Sequence, residues 1–312
     1  MSFEQYEQTR HGISFRILRN SATGEQIEFI PSLGGTVSAI ALASQGTILN
    51  LLAFDDAESI AENPLFRGRI LFPFNDRIPD GSYLFHNERY QLPINAEEDH
   101  SAIHGFVYRM PLEIQTISTD NDGAEVTCAA RIEPDDFSGY PFSVTLSITY
   151  RLTRDGAQLH FSVENRGMQP CPFALGWHPY FAMGATQTRL IAPYPRYVEV
   201  DDALLPTRRL LPTEGTAFDF SNGLRIDTRC IDMGFESTDS GITILERDTH
   251  RIVVAQDTRL FGWTQLYIPK SGDSIAIEPI SGATNSFNFP ELGLRVLSPL
   301  QTATGSVAIR IQ

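Results

Sequence analysis

Residues 144–152 read VTLSITYRL, and residues 157–165 read AQLHFSVEN. In the first run Val144, Leu146, Ile148, Tyr150 and Leu152 fall on one side, while Thr145, Ser147, Thr149 and Arg151 fall on the other. Alternation with period two is the mark of a half-buried β-strand, because successive side chains leave a strand on opposite faces. The second run repeats the pattern with Leu159, Phe161 and Val163. Asp155-Gly156 between the two supplies a tight turn, so the whole stretch predicts an antiparallel hairpin.

Shorter runs of the same kind occur at 13–17, 35–42, 126–132, 242–245, 252–255, 266–268, 275–277 and 307–311. Helical periodicity is nearly absent. Its one candidate, DDAESIAEN at 55–63, is short and is stopped by Pro64, which disfavours helix in the residue before it. The 19 prolines and 23 glycines are spread along the chain rather than gathered into a linker, and no internal repeat is visible. Residues 1–312 are therefore expected to form a single domain. Many strands with no helices to cover them must bury their apolar faces against each other, which predicts an all-β, large antiparallel sandwich or barrel-like sandwich.

The 24 basic and 38 acidic residues leave a net charge of -14, which repels polyanions; no nucleic acid and no anionic membrane is expected as partner. Nearly all the basic residues are arginine, with Lys270 the single lysine. Cys128, Cys171 and Cys230 are an odd number, far apart and without CxxC spacing, so neither a disulfide framework nor a zinc finger is indicated, and mostly buried free thiols are expected. The N-terminus lacks a basic segment followed by an apolar run, and no stretch offers ~18 uninterrupted apolar residues. A cytoplasmic protein is the expectation.

Four segments break the alternation by setting polar or ionisable residues among glycine, proline and aromatics: FPFNDRIPDGSY (72–83), HSAIHGF (100–106), GWHPYF (176–181) and IAIEPISGATN (275–285). In the last, Ile275 and Ile277 share one face, so Glu278 points to the other, at a strand end interrupted by Pro279. Among apolar neighbours its pKa would rise, as suits a general base; on a solvated face it would do nothing special. His178 is either a packed core histidine or a proton carrier, and Trp177, Tyr180 and Phe181 beside it are either core or the walls of a sugar site. His104 precedes Gly105, which permits close backbone approach. His100, four residues earlier, would share its face in a strand, and HxxxH also fits a metal pair, though no HExxH signature accompanies it. Arg77 precedes the turn Pro79-Asp80-Gly81 and could be a surface ion pair with Asp76 or Asp80.

In this order and spacing, NDRIPDG, AIHGF, WHPYF and IEPISGATN resemble the aldose 1-epimerase (galactose mutarotase) family over nearly the whole chain. IDMGF at 231–235 resembles a further acidic position of that family, which points to Asp232. The resemblance implies a large antiparallel β-supersandwich and a small-molecule sugar substrate, with no cofactor and no metal. It implies Glu278 as the general base on the anomeric hydroxyl and His178 as the general acid on the ring oxygen. His104, Arg77 and Asp232 would bind the sugar. Three departures stand out: Asp76 where the family often has asparagine, HGF for HGG, and PYFAM after His178. They leave open which aldose is taken, and monomer and homodimer are both compatible.

Three alternatives remain at this point. A hexose-6-phosphate mutarotase would draw on Arg67, Arg69, Arg77, Arg89 and Arg109 for the phosphate. A non-catalytic carbohydrate-binding sandwich would use the same polar groups for affinity alone. A metal hydrolase would need His100, His104 and His178 together.

Overall fold

The computed structural model describes residues 2–54, 60, 62–185 and 187–312. The hairpin that decided the fold class is present as Val144–Thr153 paired with Gly156–Asn165. Its loop is Arg154-Asp155, one residue earlier than expected, because Gly156 at φ 125° already pairs with Thr153 and opens the second strand. Val144, Leu146, Ile148, Tyr150 and Leu152 are buried, while the Thr145, Ser147 and Thr149 face is half-covered.

This hairpin lies in a nine-stranded sheet whose spatial order is Glu113–Thr119, Gly123–Ile132, Val144–Thr153, Gly156–Asn165, Thr302–Ile311, His250–Gln256, Ile242–Arg247, Thr188–Ile191 and Leu224–Arg225. A second sheet of eight strands runs from Pro206–Pro212 through Arg196–Val200, Asp232–Glu236, Trp263–Tyr267 and Ser274–Ile280 to Gly176–Trp177 and Ile70–Leu71, with Tyr180–Ala182 also pairing Ser274–Ile280. The first fifty residues build a five-stranded meander, Phe3–Arg10 to Thr47–Asn50. Neighbouring strands in these three sheets pair antiparallel. One continuous apolar core joins all three sheets, including Phe29 and Leu42 of the meander, Ile148 and Phe161 of the nine-stranded sheet, and Leu266 and Ile277 of the eight-stranded sheet. Phe29 stacks on Tyr150 at 3.8 Å between centroids, and Tyr150 Oη donates to the Gly35 carbonyl at 2.6 Å, so the meander is both packed and hydrogen-bonded onto the hairpin.

All the shorter predicted runs are strands, with ends that move by up to five residues. Among the described residues helix is confined to three 3-10 turns, Pro31–Leu33, Val107–Arg109 and Pro290–Leu292, and none is long and apolar enough to cross a membrane. The one helical candidate, 55–63, falls largely on residues 55–59 and 61, outside the described residues. Cys128 and Cys171 are buried and Cys230 is exposed; all three are free thiols.

One close approach matters for the site. His104 and Gly105 both have left-handed backbones, at φ 64° and 71°. This turn lets Phe106 and Val107 donate to the Phe72 carbonyl at 2.7 and 3.1 Å. A Cβ on Gly105 would lie 2.1 Å from that carbonyl oxygen. Gly105→Ala is therefore expected to cost on the order of 3 kcal/mol, from the clash and the disfavoured φ together. A urea midpoint measurement checks it; a midpoint unchanged from wild type would contradict the packing described.

Candidate active site

The site is laid out by strand register. Gly176 pairs with Ile280 and Tyr180 with Ala276, which brings His178 opposite Glu278 even though Pro179 interrupts the ladder between them. On the other side Gln265 pairs with Glu278, Gly234 with Gln265, and Asp232 with Tyr267. Since side chains two apart share a face, two rows result on one face of the sheet. His178, Glu278, Gln265 and Gly234 form the first row, and Tyr180, Ala276, Tyr267 and Asp232 the second. Gly234 and Ala276 are the small members that leave room between the large ones. Ile275 and Ile277 point the other way and are wholly buried in the core, as the alternation requires.

The opposite wall comes from two loops. Residues 72–77 carry Asp76 and Arg77, and the left-handed turn at 104–105 carries His104. Together with Pro64, Leu65, Phe66 and Ile103 these enclose a cavity of about 210 Å³. That is smaller than the ~300–1,000 Å³ of pockets for drug-sized ligands and suits a single small polar molecule.

All five residues singled out from the sequence, Arg77, His104, His178, Asp232 and Glu278, line this one cavity. Glu278 is 3% exposed, His178 6% and His104 8%, so the solvated-face alternative for Glu278 does not hold. His178 Nε2 lies 3.5 Å from Glu278 Oε1. The His178 ring stacks on Tyr180 at 5.0 Å, with the Arg67 guanidinium 4.6 Å from the Tyr180 ring centroid. His104 Nδ1 is 2.9 Å from the Asn75 carbonyl. A carbonyl only accepts, so Nδ1 carries the proton and Nε2 keeps a lone pair. Gln265 Nε2 donates to Asp232 Oδ1 at 2.8 Å, and its own Oε1 is buried without a partner, as is His178 Nδ1.

Burial governs the ionisation of these groups. It pushes the Glu278 carboxyl well above the ordinary carboxylate range, and the charges of Asp76 and Asp232 add to the rise against the opposing pull of Arg77. It pushes His178 well below the usual imidazole value, helped by His104 and Arg67. His104 is lowered from 6.5 to about 4, again by burial first, with Asp76 and the Asn75 hydrogen bond opposing. Asp232 is raised by burial and by Asp76. For Arg77 burial works against the charge, but Asp76, Asp99 and Asp232 outweigh it and hold the guanidinium above its ordinary value. The low-dielectric pocket thus favours a neutral pair, with the proton on Glu278 rather than on His178.

A consequence for stability follows from His104. Its folded value lies below its unfolded one, so its contribution is full above about pH 6.5 and is lost as pH falls toward about 4. The loss reaches at most ~3 kcal/mol. Wild type should lose stability over that window, and His104→Gln, which keeps a donor for Asn75, should lose less. Urea midpoints at pH 7.5 and pH 5 read the difference, and equal acid sensitivity in the two proteins would contradict it.

Other expectations need correction. Trp177 and Phe181 are fully buried core residues, and of the three aromatics around His178 only Tyr180 reaches the cavity. His100 does not share a face with His104: it is exposed, and its Nδ1 pairs with Asp80 Oδ1 at 2.9 Å, so the three-histidine grouping does not form. Arg77 does make an ion pair, but with Asp99, Nε to Oδ2 at 2.9 Å, and more distantly with Asp76 at 3.7 Å. Of the arginines considered for a phosphate, Arg77 alone lines the cavity. Arg67 donates to Ser274 Oγ at 3.0 Å, Arg69 to the Tyr108 and Ile60 carbonyls at 2.8 and 2.9 Å, and Arg89 to Ser82 Oγ at 3.0 Å on the surface. Arg109 packs on the Tyr108 ring. Gln265 and Tyr267 were not foreseen as site residues; the available signal was a glutamine inside WTQLY, where every other position reads as strand core or edge.

The fold is that of the galactose mutarotase-like β-sandwiches. A galactose mutarotase-like protein from Clostridium acetobutylicum superposes with a TM-score of 0.88 at 19% identity, covering 100% of this chain and 99% of that one. A galactose 1-epimerase from Lactobacillus acidophilus superposes at 0.80 with 20% identity, covering 99% and 98%. The chain belongs to the aldose 1-epimerase family, whose model matches residues 18–310. Among curated relatives, an uncharacterized Escherichia coli protein, YihR, is 28% identical over 232 residues, 71% of each chain. The mouse galactose mutarotase is 26% identical over 225 residues, 70% of this chain and 64% of that one, so the match spans less than two thirds of the latter's length.

Proposed function

We propose that this protein is an aldose 1-epimerase that interconverts the α and β anomers of a free aldose by opening and reclosing the sugar ring. The observation that carries this reading is the buried pair of His178 Nε2 and Glu278 Oε1, 3.5 Å apart and facing the cavity. The anomeric hydroxyl oxygen and the ring oxygen are bonded to the same carbon. An acid and a base that serve both at once must therefore sit side by side, each within hydrogen-bond reach of its oxygen. The names of the mouse and Lactobacillus relatives support the same reaction class.

In the opening direction Glu278 removes the proton of the anomeric hydroxyl while His178 donates one to the ring oxygen. The bond between C1 and the ring oxygen breaks, and the product is the open aldehyde. The pair begins with its proton on His178 and ends with it on Glu278. That final arrangement is the neutral one that burial favours, so the site stabilises the ring-open state relative to water. Rotation about C1–C2 presents the other carbonyl face, and closure returns the proton to His178. Atoms and protons balance with no further reactant.

The remaining groups suit hydroxyl recognition. His104 Nε2 and Gln265 Oε1 are acceptors, and the Arg77 guanidinium is a donor fixed by Asp99. An unphosphorylated substrate is favoured because Arg77 is already balanced by Asp76 and Asp99, and the other arginines are used elsewhere. Saturation transfer between α and β anomeric protons, across a panel of aldoses that includes glucose 6-phosphate, tests the reading. Exchange above the spontaneous rate is expected for at least one free aldose and not for the phosphate. A panel with no exchange at all would overturn it.

A further inference from the structure

Asp76 lines the cavity and is 8% exposed, yet both its oxygens are held by the protein. Oδ1 accepts from the Arg77 backbone N–H at 2.6 Å and faces Arg77 Nη1 at 3.7 Å. Oδ2 accepts from the Thr284 hydroxyl, on the loop that follows the Glu278 strand. That loop is tied back again where Asn285 N donates to the Arg77 carbonyl at 3.1 Å. The carboxylate is thus clamped between the loop that carries Arg77 and the loop that leaves Glu278, and it cannot swing away from the pocket.

We propose that Asp76 is a positioning residue for the general base, a fixed negative charge that keeps the shared proton on the Glu278/His178 pair and so sets the high-pH edge of activity. This rests on the reading of that pair given above. Several groups act on Glu278 at once. From its own sheet these are His178 and Tyr180 on one side and Tyr267 and Asp232 on the other, while Arg77 and Asp76 face it from the loop wall. The hydroxyls of Tyr180 and Tyr267 stay protonated, since burial raises both. Arg77 opposes a proton on Glu278 and Asp232 favours one, but Asp232 shares its charge with Gln265. Asp76 also acts on Arg77, 3.7 Å from its Nη1, and its charge raises Arg77 more than that of Asp99 or Asp232 does. Its removal as a charge withdraws repulsion from Glu278 and strengthens the pull of Arg77, and the two effects have the same sign. Asparagine, which the family resemblance would place here, supplies the shape without the charge.

The pair must hold one proton to act, so the upper edge of the kcat/KM profile is the loss of that shared proton, a property of the pair that the charges around Glu278 move. In Asp76→Asn that edge is expected to fall by about one unit, a tenfold lower rate at pH values above it. The 13C-detected titration of the Glu278 side-chain carboxyl should move by the same amount. Asp76→Glu, which restores the charge, should return both toward wild type, a recovery that a merely structural role would not produce. Should Asp76→Asn fail to fold, Asp76→Ser keeps a hydroxyl for Thr284, lacks the charge and carries the same expectation. An unmoved titration, or an equal shift in Asp76→Glu, overturns the proposal. If wild type anomerises no aldose, the functional reading falls while the carboxyl titration still decides the role of Asp76.

Discussion

Glu278→Gln is expected to lower kcat for anomeric exchange by about 10²–10⁴-fold, with little change in KM. The amide has the shape of the carboxyl and can occupy the same place opposite Gln265 and His178, but it cannot accept the anomeric proton. Because the native carboxyl is buried and held toward its neutral form, the substitution removes no favourable charge. Thermal stability should therefore be kept or slightly raised, which separates loss of chemistry from loss of fold. Saturation-transfer NMR at several sugar concentrations gives kcat and KM separately. Full activity in this variant would sink the assignment of the base. Unchanged sugar binding in a wild type with no exchange would favour the non-catalytic carbohydrate-binding alternative.

His178→Asn is expected to produce a loss of similar size, about 10²–10⁴-fold in kcat, because the ring oxygen must be protonated as the C1 bond breaks. It should also cost some stability, since it removes a buried ring stacked on Tyr180 at 5.0 Å. The double variant with Glu278→Gln is the sharper test. Acid and base serve one step, so the second substitution should cost far less than the first, as for residues that act as a unit. Additive losses would mean that the two side chains contribute separately and that the shared proton is wrong. The same exchange measurement, with unfolding followed in parallel, reads both quantities.

How far the sequence reached depends on whether a feature is local. The alternation of Val144 to Leu152 marks a strand with one buried face because side-chain direction follows from backbone pleat alone. The same logic sets Glu278 on the face opposite to Ile275 and Ile277, whatever strand pairs with it. Turn placement was less secure: Asp155-Gly156 read as the loop, whereas Gly156 uses its positive φ to begin the next strand. The family motifs brought five residues to one cavity, but they carried no information on Gln265, which enters the site by pairing with Glu278 from the neighbouring strand. Trp177 and Phe181 look identical in kind to Tyr180 as letters. They differ by which face of the chain they occupy in a segment whose strand is broken at Pro179.

By itself, then, the sequence determined the class of fold: strand faces arise from neighbours one and two residues apart, and a chain of such strands without helices has only other sheets to pack against. Through the family resemblance it also pointed to Arg77, His104, His178, Asp232 and Glu278, the five residues that line one cavity. Only the tertiary structure decided that His178 and Glu278, a hundred positions apart, stand opposite one another, that Arg67 and Arg69 are spent on loop carbonyls and a serine hydroxyl, and that His100 faces outward to Asp80. Register between distant strands, and the burial that moves the ionisation of Glu278 and the histidines, depend on which surfaces meet when the sheets close, and no local pattern of residues specifies that meeting.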